Sequence, residues 1–342
     1  MSENHARLSP ALVETVAGLG AGIASTLAVH PLDVIKTRLQ TPALPPHETH
    51  GTDRADLRTV HRSFSRTPVS SLAVLRSLTS SDRPLQSLYR GLTPNLLGNA
   101  SAWALFFYFK STIESRLRVL HRGPLTSIPS SSDAPTSRHQ QLSPADYFTS
   151  SLLSGALVTL STNPIWVIKT RMLTTDAATK GAYPSMWAGM KSLWQMEGLK
   201  GFYRGLGAGM IGVSHGAVQF AVYDSLKGMW SHYVEPAARD SAELEGTKLS
   251  NAATLVISGT AKVVAGTVTY PYQVVRSRLQ THDAEEKFGK GIKEVLARVW
   301  RQEGWRGFYR GVGPNIMKVL PATWVTFLVY ENLKFYLPRW IV

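Results

Sequence analysis

One charged motif occurs three times in this chain, at residues 31–38, 164–171 and 271–278. In each copy a proline is followed five and seven residues later by Lys or Arg, and each copy ends a long stretch rich in Gly, Ala, Ser and Thr. Each copy therefore predicts a helix that bends at its proline and ends in positive charge. An element repeated three times predicts a threefold pseudo-symmetric body built from one unit.

A second element, Tyr-Arg-Gly after Leu or Phe, recurs downstream at residues 88–91, 202–205 and 308–311. The second and third copies also carry Glu-Gly, beginning six residues before the Tyr. From proline to Tyr is 39 residues in the second unit and 38 in the third, but 58 in the first. The first unit therefore carries an insertion, which we place at 41–70. The predicted units are 8–120, 143–233 and 249–340.

Six apolar segments have the length that a membrane-spanning helix needs. They run over about 10–40, 92–118, 144–172, 205–231, 249–280 and 313–337. The mean hydropathy of −0.07 is low for a membrane protein and, taken alone, favours a soluble helical protein. The polar residues are spread along single faces, however, as expected when helices enclose an aqueous cavity. We therefore predict an all-α membrane protein that is a transporter or a channel.

The charge balance restricts the partners. The chain has 37 basic and 23 acidic residues, a net charge of +14, which suits nucleic acid, an anionic membrane surface or an anionic small molecule. No nucleic-acid-binding motif is present, and the bases lie beside apolar runs, so nucleic acid is disfavoured. The absence of cysteine excludes disulfides and thiolate metal sites. Without a metal-spaced set, a phosphate loop or a nucleophile elbow, we predict no enzyme, no metal and no prosthetic group.

The repeated motifs resemble those of the mitochondrial carrier family over nearly the whole chain. The resemblance implies six transmembrane helices around a central cavity in the mitochondrial inner membrane, with alternating access to the two sides. It also implies that both termini and the loops at 121–142 and 232–248 face the intermembrane space, with amphipathic segments such as 184–196 and 288–302 on the matrix side. A monomer, with cardiolipin bound at the Glu-Gly and Tyr-Arg-Gly segments, is expected.

Some segments are similar to the branch of this family that carries FAD and folate. They are residues 163–171, 214–220 and 270–276, together with Lys262. Carriers of NAD and of pyrimidine nucleotides are similar at several of these positions.

The resemblance also implies a gate on the matrix side, where the acid of each proline motif pairs with the first base of the next unit. Asp33 is then expected to pair with Lys169, while Trp166 and Gln273 occupy the other two acid positions. Gln40 and Gln280 are expected to brace neighbouring pairs. For the arginines at the outer end of the three motifs, Arg38, Arg171 and Arg278, we favour contact with lipid headgroups. The predicted matrix gate is Asp33, Lys36, Lys169, Arg276, Gln40 and Gln280, with Lys36 and Arg276 uncompensated.

A second gate is implied on the intermembrane side. Asp224 is expected to pair with Lys334, and Glu331 is expected to face Glu114, where the two carboxylates share a proton or a cation. An alignment shifted by one residue is the alternative to this facing pair. The predicted gate is Asp224, Lys227, Glu331, Lys334 and Glu114.

The substrate contact points implied by the family lie thirteen residues before this second gate motif. They are Gly98, Ile211 and Lys318, with Asn99 and Gly212 beside two of them. Lys318 is expected to hold an anionic group while a planar group lies on the small residues. The predicted substrate site is Gly98, Asn99, Trp166, Ile211, Gly212, Gln273 and Lys318.

Several of these side chains have a second interpretation. Trp166 offers a stacking face or packs between helices, and Gln273 offers both a donor and an acceptor to the edge of a flavin or pterin. For His215, Gln219 and Lys262, cavity lining and bonding between helices remain open.

We therefore predict a carrier that moves FAD between cytosol and matrix. The alternatives are a folate carrier, a carrier of NAD or pyrimidine nucleotides, and, in another class, a proton-leak channel or a membrane scaffold.

Overall fold

A computed structural model describes residues 10–42, 70–121, 143–176, 181–233 and 251–340. The predicted insertion at 41–70 and the predicted loops at 121–142 and 232–248 fall almost entirely outside these ranges. Regular structure in the described ranges is helical. The helices are α1 (Pro10–Gln40), α2 (Ser71–Thr79), α3 (Pro84–Leu88), α4 (Leu92–His121), α5 (Pro144–Thr174), α6 (Met186–Phe202), α7 (Leu206–Ile211), α8 (Ser214–Tyr233), α9 (Asn251–Val268), α10 (Tyr270–Gln280), α11 (Ala284–Phe288), α12 (Ile292–Glu303), a 3-10 turn (Trp305–Tyr309), α13 (Val312–Met317) and α14 (Val319–Trp340).

Six long helical segments form the body, in agreement with the predicted all-α membrane fold. They are α1, α4, α5, α7 with α8, α9 with α10, and α13 with α14. Three spans are long and apolar enough by themselves to cross a membrane: Val13–Gln40, Ala145–Thr174 and Trp305–Leu337. The other three segments are interrupted by a short turn or, in α4, carry charged residues along their last turns.

The units are joined in a ring, because the second long segment of each unit packs on the first of the next. Helix α4 packs on α5, α8 packs on α9, and α14 returns to pack on α1. Large apolar side chains lie on the outside of the helices, where Trp103 is 64% exposed and Phe220 is 70% exposed. Exposed apolar surface of this extent is that of a protein solvated by lipid.

Three arginines, seven residues after the motif prolines, hold the ends of α1, α5 and α10 together. Each donates its Nε hydrogen to the backbone carbonyl nine residues after the proline of the next unit. The bonds are Arg38 to Leu173 (3.1 Å), Arg171 to Gln280 (3.2 Å) and Arg278 to Gln40 (3.0 Å). Because the third bond returns to the first unit, the three close a ring, which we call the arginine ring.

Two of these arginines are buried and paired with the Glu of the Glu-Gly element. Arg171 Nη1 lies 2.6 Å from Glu197 Oε1, and Arg278 binds Glu303 through two nitrogens at 2.6 and 2.9 Å. Burial acts to raise the pKa of Glu197, but the bonds and charges of Arg171 and Arg204 outweigh it and hold the pKa below its usual value. The expectation that the outer arginines contact lipid headgroups is therefore wrong. Arg171 and Arg278 are each 1% exposed and bind a carboxylate and a backbone carbonyl of the protein, so their guanidinium groups do not reach lipid headgroups.

The first unit lacks this glutamate. Arg83 and Pro84 stand at the aligned positions, and Arg38 pairs instead with Asp176 of the second unit at 2.5 Å. The side chain of Asp176 is 58% exposed, whereas that of Glu303 is 10% exposed. The arginine ring is thus anchored more weakly in the first unit than in the third.

The glycine of each Tyr-Arg-Gly element lies against the end of the next unit's first helix. Gly91 and Gly311 have φ of 74° and 82°, and a Cβ on Gly311 would lie 2.9 Å from the carbonyl oxygen of Lys36. A Cβ on Gly91 would meet Leu173 at 2.3 Å. Both the backbone conformation and the lack of space require glycine at these positions.

We predict that Arg278→Leu lowers the unfolding temperature much more than Arg38→Leu does. Removing one partner of a buried ion pair costs about 3–5 kcal/mol, which corresponds to a shift on the order of 10 °C. Unfolding of the purified protein in detergent can be followed by the fluorescence of its nine Trp residues. Equal shifts for the two variants would contradict the unequal anchoring of the arginine ring.

Candidate functional site

A cavity of about 350 Å³ lies above the arginine ring and is lined by five of the six segments, α4 contributing no residue to the described lining. Side chains from α1, α5, α8, α9, α10 and α13 line it, with Lys318 and Val319 at the junction of α13 and α14. The basic residues in this lining are Lys36, Lys169, Lys262, Arg276 and Lys318. Asp33 is the carboxylate that the described lining sets against these five bases.

The floor of the cavity is closed by two glutamines, Gln40 at the end of α1 and Gln280 at the end of α10. Gln40 accepts a hydrogen bond from Ser277 at 2.7 Å and donates to the hydroxyl of Tyr270 at 3.0 Å, which joins α1 to α10. Gln280 accepts from Thr170 at 3.0 Å, which joins α10 to α5. These bonds link helices directly, whereas both glutamines were expected to brace ion pairs.

Asp33 pairs with Lys318 and not with Lys169. Its Oδ1 lies 2.6 Å from Lys318 Nζ. The expected pair is wrong for this conformation because α1 packs along α13 and α14, which brings Lys318 to the carboxylate. Lys169 instead lies over the ring of Trp166, one turn earlier on α5, with Nζ 4.8 Å from the ring centre.

Lys36 and Arg276, the two bases that were expected to lack an acidic partner, differ in their hydrogen bonds. Lys36 donates to the amide oxygens of Gln273 at 2.8 Å and Asn315 at 2.9 Å, so it has neutral partners. The Nε of Arg276 is buried without a hydrogen-bond partner. Among the residues that the structure describes, neither Arg276 nor Lys262 has an acidic partner.

Three equivalent contacts link each unit to the next at the level of the cavity. Seven residues after the Tyr-Arg-Gly glycine stand Gly98, Gly212 and Lys318. A Cβ on Gly98 would touch the Trp166 ring at 3.4 Å, and one on Gly212 would meet the Tyr272 ring at 2.6 Å. The third contact is the ion pair of Lys318 with Asp33. Two contacts therefore seat an aromatic ring on glycine, and the third is ionic.

The predicted contact points need correction in the second unit. Counted from the glycine of the Tyr-Arg-Gly element, Gly212 and not Ile211 matches Gly98 and Lys318, and both Gly212 and Lys318 lie at a break between two helices. Ile211 is 55% exposed and lies outside the cavity lining. Gly98, Asn99 and Gly212 also lie outside the lining, because aromatic rings cover both glycines. Trp166, Gln273 and Lys318 do line the cavity.

At the opposite end of the helices the predicted second gate is not assembled. Lys334 lies 3.4 Å from Glu14 of α1 instead of beside Asp224. Glu114 contacts Lys110 and Arg118 of its own helix at 3.9 Å. In the part of the chain that the structure describes, Asp224, Lys227 and Glu331 form no ion pair. The described conformation is therefore closed at the floor, and the ion pairs predicted for the other end are not formed.

Two residues of the site were missed by sequence reasoning. Tyr272 directly follows the third motif proline and lines the cavity, and Asn315 holds Lys36. The spacing of Tyr272 four residues before Arg276 puts both on one face of α10 and could have revealed the first. The recurrence of Pro-Asn at 94–95 and 314–315 could have revealed the second.

Comparison with known proteins identifies the family. The family model described as mitochondrial carrier protein matches residues 8–119, 140–234 and 247–339. The mitochondrial FAD carrier protein of Saccharomyces cerevisiae is 33% identical over 95% of this chain and 97% of its own length. Folate transporter 1, chloroplastic, of Arabidopsis thaliana is 33% identical over 93% of this chain and 92% of its own. The mitochondrial nicotinamide adenine dinucleotide transporter 2 of the same plant is 31% identical, over 93% and 77% respectively.

These matches cover all three units, and they agree with the ring of helices and with the repeated proline and Tyr-Arg-Gly elements. The chain belongs to the mitochondrial carrier family.

Proposed function

We propose that this protein transports FAD across the mitochondrial inner membrane, between cytosol and matrix, by alternating access. Its termini lie toward the intermembrane space, and the arginine ring lies at the matrix end. Relatives named as FAD, folate and NAD transporters support cargo of this kind. The proposal makes the protein a transporter without catalytic chemistry.

The observation that carries the proposal is the charge of the cavity. Five bases and one carboxylate line a space of about 350 Å³. A cavity with walls of low dielectric concentrates such a field and attracts anions. The pyrophosphate of FAD is a dianion, and a proton-leak channel has no need of four uncompensated cations. This balance also argues against a scaffold. Charged groups inside a membrane cost free energy, and a scaffold has no function for a charged cavity.

The ion pair between Lys318 and Asp33 links the binding of cargo to the closure of the floor. An anionic group that binds Lys318 competes with Asp33 for the same ammonium. The released carboxylate then lies near Lys36 of its own helix and Lys169 of α5. We expect this exchange to loosen the closed floor, after which Lys334 leaves Glu14 and pairs with Asp224 at the other gate.

Folate and NAD are the alternative cargoes, because they too join a flat ring to anionic groups. The amide oxygen of Gln273 is occupied by Lys36, so only its NH2 group remains to recognise a ring carbonyl. A flavin or a pterin supplies such a carbonyl.

The first test is uptake by liposomes that contain the purified protein, with FAD, tetrahydrofolate, NAD and ATP supplied in parallel. We expect FAD to be taken up fastest. Uptake of NAD or ATP with neither FAD nor folate would refute the assignment of cargo. No uptake of any of the four would refute a carrier of aromatic anions.

A second test separates the two members of the ion pair. We expect Asp33→Asn to bind FAD roughly tenfold more tightly, because it removes a competitor whose charge-assisted hydrogen bond is worth about 1.5 kcal/mol. We expect Lys318→Ala to bind FAD more weakly by at least that factor. Calorimetric titration of the detergent-solubilised protein measures both.

Lys293→Ala is the matched control for Lys318→Ala, since Lys293 is exposed on α12. It should leave the affinity for FAD unchanged. If Lys318→Ala binds FAD as the wild type does, Lys318 is not the anion contact.

A further inference from the structure

Two aromatic rings other than the imidazole of His215 line the described cavity, those of Trp166 and Tyr272. The sequence favoured Trp166 as the stacking face. In the structure the Trp166 ring is already occupied, because Lys169 Nζ lies over it at 4.8 Å and the indole N–H donates to Thr162 Oγ1 at 3.2 Å. A planar cargo would have to displace Lys169 to reach that face.

Tyr272 is differently placed. Its ring lies on Gly212, where even a methyl group would come within 2.6 Å of Cε2. Across the described residues, no other ring stacks on it and no cation lies over it. Its hydroxyl makes no hydrogen bond with the residues described. Tyr272 therefore presents to the cavity a ring that has no aromatic or cationic partner among the described residues.

Arg276 lies one turn after Tyr272 on the same face of α10. Its guanidinium lies over Gly209, where a Cβ would be 3.4 Å from Cζ. The Nε hydrogen is buried without an acceptor, a state that costs about 1–3 kcal/mol. A donor kept in this state at a cavity wall is suited to an acceptor that arrives with the cargo.

We propose that Tyr272 and Arg276 form a subsite for a flat heteroaromatic ring and the anionic group attached to it. The Tyr272 ring stacks on one face of the cargo, and Arg276 donates to a phosphate or carboxylate oxygen. The proposal rests on the transport function given above and specifies which wall of the cavity selects the cargo. Gly209 of α7 and Gly212 in the turn after it fix the depth of this wall, because any side chain at Gly212 would push the ring into the cavity.

Packing between helices is the competing explanation for Tyr272, and it predicts that different replacements of Tyr272 are tolerated. A packing residue tolerates replacement by an apolar side chain of similar volume, whereas a stacking residue tolerates only another aromatic ring. Stacking of a base on an aromatic side chain is worth about 1–3 kcal/mol, so its loss weakens binding about 5- to 150-fold.

The experiment compares Tyr272→Leu, Tyr272→Phe and Trp166→Leu with two probes, FAD and riboflavin, which lacks the phosphates. Flavin fluorescence reports stacking directly, because an electron-rich aromatic ring in contact with the flavin quenches it. We expect Tyr272→Leu to weaken binding of both probes 5- to 150-fold and to abolish the quenching. Tyr272→Phe should retain the affinity, and Trp166→Leu should retain both affinity and quenching.

The variant Arg276→Gln tests the contact with the anionic group separately from the stacking of the ring. We expect it to weaken binding of FAD at least tenfold while the affinity for riboflavin stays within twofold of the wild type. The unfolding temperature of each variant, followed by Trp fluorescence, identifies a variant that fails to fold, and Tyr272→Met or Arg276→Lys then replaces it with the same expected loss of binding.

The outcomes distinguish this subsite from the proposed function. If the wild type binds FAD and Tyr272→Leu binds it equally well, the subsite is wrong and the function stands. If the wild type binds NAD or folate instead, and Tyr272→Leu loses that binding, the subsite stands and the cargo is wrong. If the wild type binds none of these compounds, both are wrong.

Discussion

The arginine ring holds the whole arrangement in place. Three bonds from Arg38, Arg171 and Arg278 to the carbonyls of the next unit join the ends of α1, α5 and α10. Because a carbonyl oxygen is available at this point whatever the side chain, the ring forms with Gln40, Leu173 and Gln280 alike. It depends on backbone geometry, which the bent helices and the Tyr-Arg-Gly glycines share in all units. The cavity exists because this floor closes beneath it.

Function arises where the units differ above that common floor. The three contacts between neighbouring units are a ring on glycine, a second ring on glycine, and an ion pair. Only the ion pair can respond to an anion, and only the rings can recognise a flat group. A symmetric site would offer three equal contacts to a cargo that has no such symmetry. The substitutions at these positions turn a symmetric body into a site with distinct walls.

The sequence predicted the architecture well and the partners of individual residues poorly. Repeated motifs and segment lengths were sufficient for the six helical segments, because both follow from local chemistry. The partner of Asp33 depends on how closely α1 packs on α13 and α14, and no local pattern reports that distance. Ile211 was selected by counting along a helix that the structure breaks at Gly212. The buried arginines were predicted to contact lipid because a charge next to an apolar run indicates the end of a membrane segment. The sequence does not show whether that charge is buried.

The placement of the ion pair predicts that the proposed exchange at Lys318 acts on the floor through the first unit. Asp33 lies one turn before Lys36, and its helix carries the weakest anchor of the arginine ring, since Asp176 is largely exposed. A change in the partner of Asp33 therefore acts on the helix end that is least firmly held. Arg278, bound to a buried glutamate by two hydrogen bonds, resists such a change. We therefore expect the floor to open first at α1, next to the carboxylate that the proposed exchange at Lys318 releases.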